Sequence, residues 1–422
     1  MNAKAGFFHG WIVALVCGFG LACGISVFIP STLGLLAGPL SAELGWTQPQ
    51  VFQAPVWATV TTVVIAPSLG RLIDRIGARR VIIASFIIQA IILASFYWID
   101  RAPLPFYLRY TALAALATGN TGLAFTKVIG DWFDRRRGTA LGVTLAGVGV
   151  GGVAWTLAAQ HLFDLVGWRL TFPLLAVFLL LVVTPVMALA IRNRPADMGL
   201  HVDGDATAQR DAESRHGPSL REAGRAHPYW MLLAVAFLVG FGIQALMLHL
   251  VPLLKESGYS PQVAANAQAS LWMALVLGRL STGWLMDRFP APRIAALFLC
   301  FPLVAIFLLS TSTGGAGGFV AAMLIGLASG AEVDVIAFLT TRYFGLRHYG
   351  AIYSTFFSAF VIGSGTGPLV ASQLHEQAGG HYTQALYAMG AVLLAAAVMF
   401  LFLKRTPAVT HAGCTPPPAR RK

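Results

Sequence analysis

Twelve apolar runs dominate this sequence, at 10–37, 50–69, 80–98, 104–129, 138–162, 169–191, 229–254, 265–286, 293–312, 317–340, 349–373 and 382–403. Each is about as long as the ~20 residues a helix needs to cross a bilayer. Hydrocarbon offers the backbone no hydrogen-bond partner, so such runs are expected to be helical. Only 11% of the 422 residues are charged and 57% are hydrophobic, against roughly 25% and 45–50% in soluble domains. The reading is an all-α membrane protein with twelve transmembrane helices. The first run is too long for the apolar stretch of a secretory leader, so it is expected to stay as an anchor.

Between 192 and 228 the composition changes to six Arg, four Asp and two Glu with no long apolar run. The chain therefore divides into an N-terminal six-helix bundle (1–191), a solvated linker (192–228), a C-terminal six-helix bundle (229–404) and a basic tail (405–422) expected to be disordered. With the N-terminus inside, 23 of the 29 Lys and Arg fall in cytoplasmic segments and four in external ones. That imbalance predicts cytoplasmic termini in the inner membrane. It also accounts for the net charge of +12 through anionic headgroups, without nucleic acid.

The two halves repeat each other. Gly70-Arg-Leu-Ile-Asp74-Arg75 follows the second span, and Gly283-Trp-Leu-Met-Asp287-Arg288 follows the eighth. Trp132-Phe133 follows the fourth span, and Tyr343-Phe344 the tenth. Both landmarks recur at an offset of about half the chain. Six-span repeats joined by a polar linker are the pattern of a transporter whose site lies at the midplane between two pseudo-symmetric bundles.

Chemistry other than transport has little support. The four cysteines, Cys17, Cys23, Cys300 and Cys414, show neither metal-ligand spacing nor a disulfide framework. No nucleotide-hydrolysis loop or nucleophile–base motif occurs, so no cofactor is expected and an intramembrane enzyme is disfavoured. Gly147-x-Gly149-x-x-Gly152 matches a dinucleotide fingerprint. It lies within an apolar span with no preceding strand, so it reads as helix packing through small residues. Gly326-x-x-x-Gly330 and Gly363-x-x-x-Gly367 read likewise.

The loop Gly70-Arg71-Leu72-Ile73-Asp74-Arg75-Ile76-Gly77-Ala78-Arg79-Arg80 resembles the signature loop of the major facilitator superfamily. His9-Gly10-Trp11, Glu43-Leu44-Gly45-Trp46, Arg135-Arg136-Arg137-Gly138, Arg194-Pro195 and Glu332-Val333-Asp334 add a resemblance to its monocarboxylate porter and oxalate/formate antiporter branch, in bacterial form. Drug/proton antiporters of the superfamily carry Gly-Pro in the fifth span. Here Gly367-Pro368 occurs only in the eleventh, which disfavours a drug exporter. A membrane receptor on the same fold would be expected to carry a structured extension, which the short linker and tail do not suggest.

The resemblance implies the major facilitator fold, alternating access and a small organic anion as substrate. Proton symport of a monocarboxylate is the first reading and anion exchange the second. The protein is expected to act as a monomer. Asp74 can pair with a nearby arginine or with a helix N-terminus. A cytoplasmic latch is expected from Gly70, Asp74, Arg75, Gly77, Arg79, Arg136, Asp287 and Arg288.

Ionisable groups within spans cost roughly 2.5–3.5 kcal/mol to insert and are functional candidates. Lys127 reads as snorkelling to the interface. Glu332 and Asp334 lie about 200° apart around their helix. One is expected to carry the coupled proton, with a fixed ion pair as the alternative. Arg279 is the expected carboxylate contact, at the place of the eighth-helix arginine that meets the anion in carboxylate porters. The competing reading pairs it with Glu332. Asn120, Gln244 and His249 are further candidate cavity groups, although His249 also suits an interfacial hydrogen bond. The first and eleventh spans lack the lysine found in some of these porters. That favours one carboxylate over two.

Overall fold

The computed structural model describes residues 8–47, 50–51, 53–204, 217–311 and 316–403. Positions 205–216 of the linker and the whole tail at 405–422 lie outside the described residues. No strand occurs among the described residues. The first half comprises α1 (Gly10–Cys23), α2 (Ile25–Leu44), α3 (Ala54–Ile76), α4 (Ala78–Ala94), α5 (Pro103–Leu116), α6 (Gly122–Trp132), α7 (Arg137–Phe178) and α8 (Thr184–Ala190). A short helix, α9 (Leu220–Ala223), lies in the linker. The second half comprises α10 (His227–Glu256), α11 (Pro261–Met286), α12 (Ala291–Thr311), α13 (Gly317–Phe344), α14 (Tyr349–Gln377) and α15 (Thr383–Phe402).

Nine helical stretches among the described residues are long and apolar enough to cross a membrane. One of them, Arg137–Ala190, has 54 residues, which is too long for one crossing. It breaks at Gly167, whose φ of 76° and ψ of 163° are not helical. Large apolar side chains stay exposed along the array, among them Leu157, Leu181 and Phe402, as contact with lipid requires. The glycine run in α7 packs against α1: a Cβ on Gly147 or Gly151 would strike the backbone of Gly18 or Ala22. Of the fingerprint glycines, Gly147 thus serves helix packing and Gly149 lies against Val276 of the second half, whereas a Cβ on Gly152 would meet nothing within 4 Å.

Two neighbouring spans in the first half are broken and tied to each other. Gly24 is extended between α1 and α2, and 118–121 separate α5 from α6. A gap in a membrane helix frees backbone groups that must find partners. Asn120 Oδ1 accepts from the Ile25 N–H at 3.1 Å. Gln89 Nε2 donates to the Cys23 carbonyl at 3.3 Å. Asn120 Nδ2 donates to Gln89 Oε1, which closes the network. Trp155 donates to the Ala22 carbonyl at 2.6 Å. Asn120 is fully buried and holds the two breaks together, so its carboxamide is not an open cavity group as the sequence suggests. Asn120→Ala strands buried partners, at roughly 1–3 kcal/mol for each. The purified variant is expected to unfold at a clearly lower temperature. Unfolding at the wild-type temperature would show the network to be dispensable.

At the opposite end from the basic loops, Glu43 accepts from Trp168 at 2.7 Å and from Arg169 at 2.8 Å. The hydrogen bonds from Trp168 and then Arg169 hold its carboxyl below the usual glutamate range.

Candidate functional site

The halves meet mainly along α3 with α14 and along α7 with α11. At their basic ends, each contact is closed by the same device. Asp74, near the end of α3, accepts from the Gly350 and Ala351 N–H groups that open α14, at 3.0 and 2.9 Å. Asp287, just past α11, accepts from the Gly138 and Thr139 N–H groups that open α7, at 2.6 and 2.8 Å, and from Thr139 Oγ1 at 2.6 Å. In each case a carboxylate from one half caps a helix of the other, where exposed N–H groups and the helix dipole favour negative charge. Glycine makes the approach possible. A Cβ on Gly70 or Gly350 would strike the carbonyl of the other, and the same holds for Gly138 and Gly283.

Asp74 and Asp287 therefore meet helix N-termini, and the arginines grouped with them in the sequence lie elsewhere. Arg79 donates from Nη2 to the Ala188 carbonyl of its own half at 2.6 Å, and its backbone N–H donates to Asn193 Oδ1 at the start of the linker at 2.9 Å. Arg288 stacks on Trp284 at 3.8 Å. Arg75 and Arg136 are exposed. Gly77, with φ of 88°, turns the chain from α3 into α4.

Further contacts across the halves fall on residues that sequence reasoning placed elsewhere or passed over. Lys127 does not snorkel to the membrane surface. Its ammonium reaches the Leu346 carbonyl of the other half and stands 3.8 Å from Asp131. Arg137 donates to Thr341 Oγ1 at 3.0 Å. Arg342 contacts Asp134 through Nη1–Oδ1 at 3.4 Å and Nη2 to the carbonyl at 3.2 Å. Tyr349 donates to Thr126 at 2.9 Å. Together they seal the basic end. The repeated aromatic pairs at 132–133 and 343–344 were the available signal for this region.

Above the seal, Arg279 and Asp334 form a buried pair. Arg279 Nη1 lies 3.4 Å from Asp334 Oδ1. Relative exposure is 7% for Arg279 and 0% for Asp334. Arg279 lies seven residues before the end of α11, about 10 Å from the basic end. Its carbonyl lies against α7 so closely that a Cβ on Gly142 would come within 2.5 Å. The pair thus sits at the seam between the halves. Its bonding is incomplete: Arg279 Nε and Asp334 Oδ2 are buried without a hydrogen-bond partner among the described residues. Tyr353 is buried beside both charges and stacks on Tyr349 at 5.2 Å.

The profile of the Major Facilitator Superfamily matches residues 10–345. The chain belongs to the Major Facilitator Superfamily. Among its relatives in the superfamily, monocarboxylate transporter 13 of Bos taurus is 27% identical over 415 residues, covering 93% of this chain and 89% of that protein. Monocarboxylate transporter 11 of Homo sapiens is 27% identical over 411 residues, covering 94% and 83%. The solved structure of the E. coli fucose:proton symporter FucP aligns with a TM-score of 0.70 at 16% identity, covering 94% of this chain and 99% of that one. The proton:xylose symporter XylE aligns at 0.72 and 15%, covering 94% and 96%. These two share the fold. The chain is a multi-pass membrane transporter of the major facilitator type.

One pairing weighed for this facilitator's site needs correction. The ion pair of Arg279 is made with Asp334, not Glu332, because Asp334 occupies the face of α13 that meets α11. Glu332 is turned toward α10, α12 and α15, where it borders a small apolar recess with Val239, Phe298 and Phe400. Its Oε1 lies 3.4 Å from Ser329 Oγ, and its Oε2 has no partner among the described residues. His249 bridges Tyr382 at 2.9 Å and the Pro368 carbonyl at 3.0 Å. It braces the second half, as the hydrogen-bond reading of that residue has it. Gln244 is half-buried on α10.

Proposed function

We propose that this protein carries a small monocarboxylate together with a proton, with Arg279 receiving the carboxylate and Asp334 the proton. The observation that carries the reading is the incomplete Arg279–Asp334 pair at the seam. A guanidinium presents a planar fork to a carboxylate, and Nε is the unused edge of that fork. The relatives named monocarboxylate transporters support the substrate class.

Charge balance supplies the coupling. Without substrate, Arg279 and Asp334 neutralise each other. An incoming carboxylate that takes over the guanidinium leaves Asp334 as a second, unpaired negative charge in a buried site, which is costly. Protonation of Asp334 restores neutrality. Only the empty pair and the site loaded with both acid and proton are neutral, and the halves rock in those two states. Arg279 is the substrate-contact candidate and Gln244 a further one. Twelve crossings follow if the 54-residue stretch is divided at Gly167 and if α11 and the α5–α6 pair also span. The basic loops then face the cytoplasm, with both termini on the cytoplasmic side of the inner membrane, and the seal describes an outward-facing state. The unit is a monomer.

The test is uptake of labelled monocarboxylates, dicarboxylates and sugars by proteoliposomes with and without an alkaline interior, corrected for protein-free vesicles. One-to-one electroneutral symport accumulates a monocarboxylate about tenfold for one unit of pH difference. Uptake of only sugar, or acid movement that ignores the gradient and requires internal anion, would reject the reading.

A further inference from the structure

A recess of about 700 Å³ opens at the basic end of the second half, away from the seam residues Arg279 and Asp334. It is bounded by the turn after α11, the start of α12 and the ends of α13 and α15. Its walls combine two kinds of surface. Arg293 and Arg342 supply positive charge, and Phe289, Phe338, Leu401 and Leu403 supply apolar area. Phe289 and Leu401 are 53% and 61% exposed. The exposed apolar side chains of Phe289 and Leu401 beside two guanidinium groups, at the end of membrane helices, suit one molecule with an anionic head and hydrocarbon chains.

We propose that this recess binds an anionic membrane phospholipid, with Arg293 and Arg342 on the phosphodiester and the acyl chains along Phe289 and Leu401. Basic pockets between membrane helices recognise lipid headgroups in this manner. Arg293 is exposed in the first turn of α12, where the helix dipole disfavours a cation unless an anion lies beside it. Arg342 lies 5.2 Å from the centre of the Phe338 ring and also reaches Asp134 of the other half. A bound headgroup therefore competes with Asp134 for that guanidinium. The lipid site and the seal share one residue, so anionic lipid weakens this cross-half contact.

Native mass spectrometry of the purified full chain, offered phosphatidylglycerol or phosphatidylcholine, tests the site. Phosphatidylglycerol is expected to be retained preferentially. Arg293→Gln, which lies outside the transport site and the clamps, is expected to lower its retention about fivefold, the effect of one surface cation near an anionic headgroup. Soluble glycerol phosphate is expected not to displace the lipid. Equal retention of the two lipids, or wild-type retention by Arg293→Gln, overturns the proposal. Displacement by glycerol phosphate overturns the lipid assignment in favour of a soluble phosphoester. If Arg293→Gln fails to fold, salt on the wild type decides. High salt must lower retention of phosphatidylglycerol and leave phosphatidylcholine unchanged, and salt-independent retention contradicts the proposal.

Discussion

Arg279→Lys is expected to weaken monocarboxylate binding roughly 10- to 100-fold while the protein still inserts and folds. Lysine keeps a positive charge next to Asp334, so the buried pair survives. What it loses is the planar fork, and with it the second charge-assisted bond to the carboxylate. Arg279→Gln makes a harsher change. It leaves Asp334 buried without its counter-charge, a situation that costs about 3–5 kcal/mol in buried ion pairs. This variant is expected to lose binding and stability together, and neutralising Asp334 as well should restore stability alone. Affinity measured on the purified protein, beside its melting temperature, separates the two effects. Wild-type affinity in Arg279→Lys would mean that the residue only assembles the second half.

The double variant Asp74→Asn, Asp287→Asn is expected to open the basic end. Each aspartate caps a helix across the seam through two backbone N–H bonds. A hydrogen bond to a charged group contributes about 1.5–3 kcal/mol. The clamps are distinct contacts on different helix pairs, so their effects should roughly add. Losing about 3 kcal/mol or more in total changes the sealed-to-open ratio by on the order of a hundredfold. Spin labels at the exposed positions 136 and 347, on opposite halves, are expected to report a longer distance population that the wild type lacks. An unchanged distance distribution would show that the clamps do not set the conformational equilibrium.

Much of the architecture was legible because hydrocarbon imposes length and polarity on any chain that crosses it. The apolar runs marked the helices, and the recurrence of Asp74 at Asp287 marked the two related halves. Contacts between halves were less legible. Asp74 stood out beside four arginines, yet it caps α14, which starts at Tyr349, far along the chain. Arithmetic on a helical wheel separated Glu332 from Asp334 but did not reveal which face meets α11. Asn120 was visible as a lone polar residue in an apolar run. Its partners are backbone groups released by a break at Gly24, and hydropathy does not register such a break. Lys127 illustrates the same limit. Its distance from the span end suggested snorkelling, whereas the turn between α13 and α14 brings the Leu346 carbonyl to it.

In the proposed cycle the carboxylate takes Arg279 as a proton takes Asp334. The most direct test compares wild type with Asp334→Asn in proteoliposomes, measuring both accumulation driven by a pH gradient and exchange of labelled for unlabelled monocarboxylate. Asparagine is uncharged, as protonated Asp334 would be, so the variant should still bind the carboxylate at Arg279 and exchange it across the membrane. It has no proton to release, so the pH gradient should drive no accumulation. Accumulation at the wild-type level by Asp334→Asn would contradict the account.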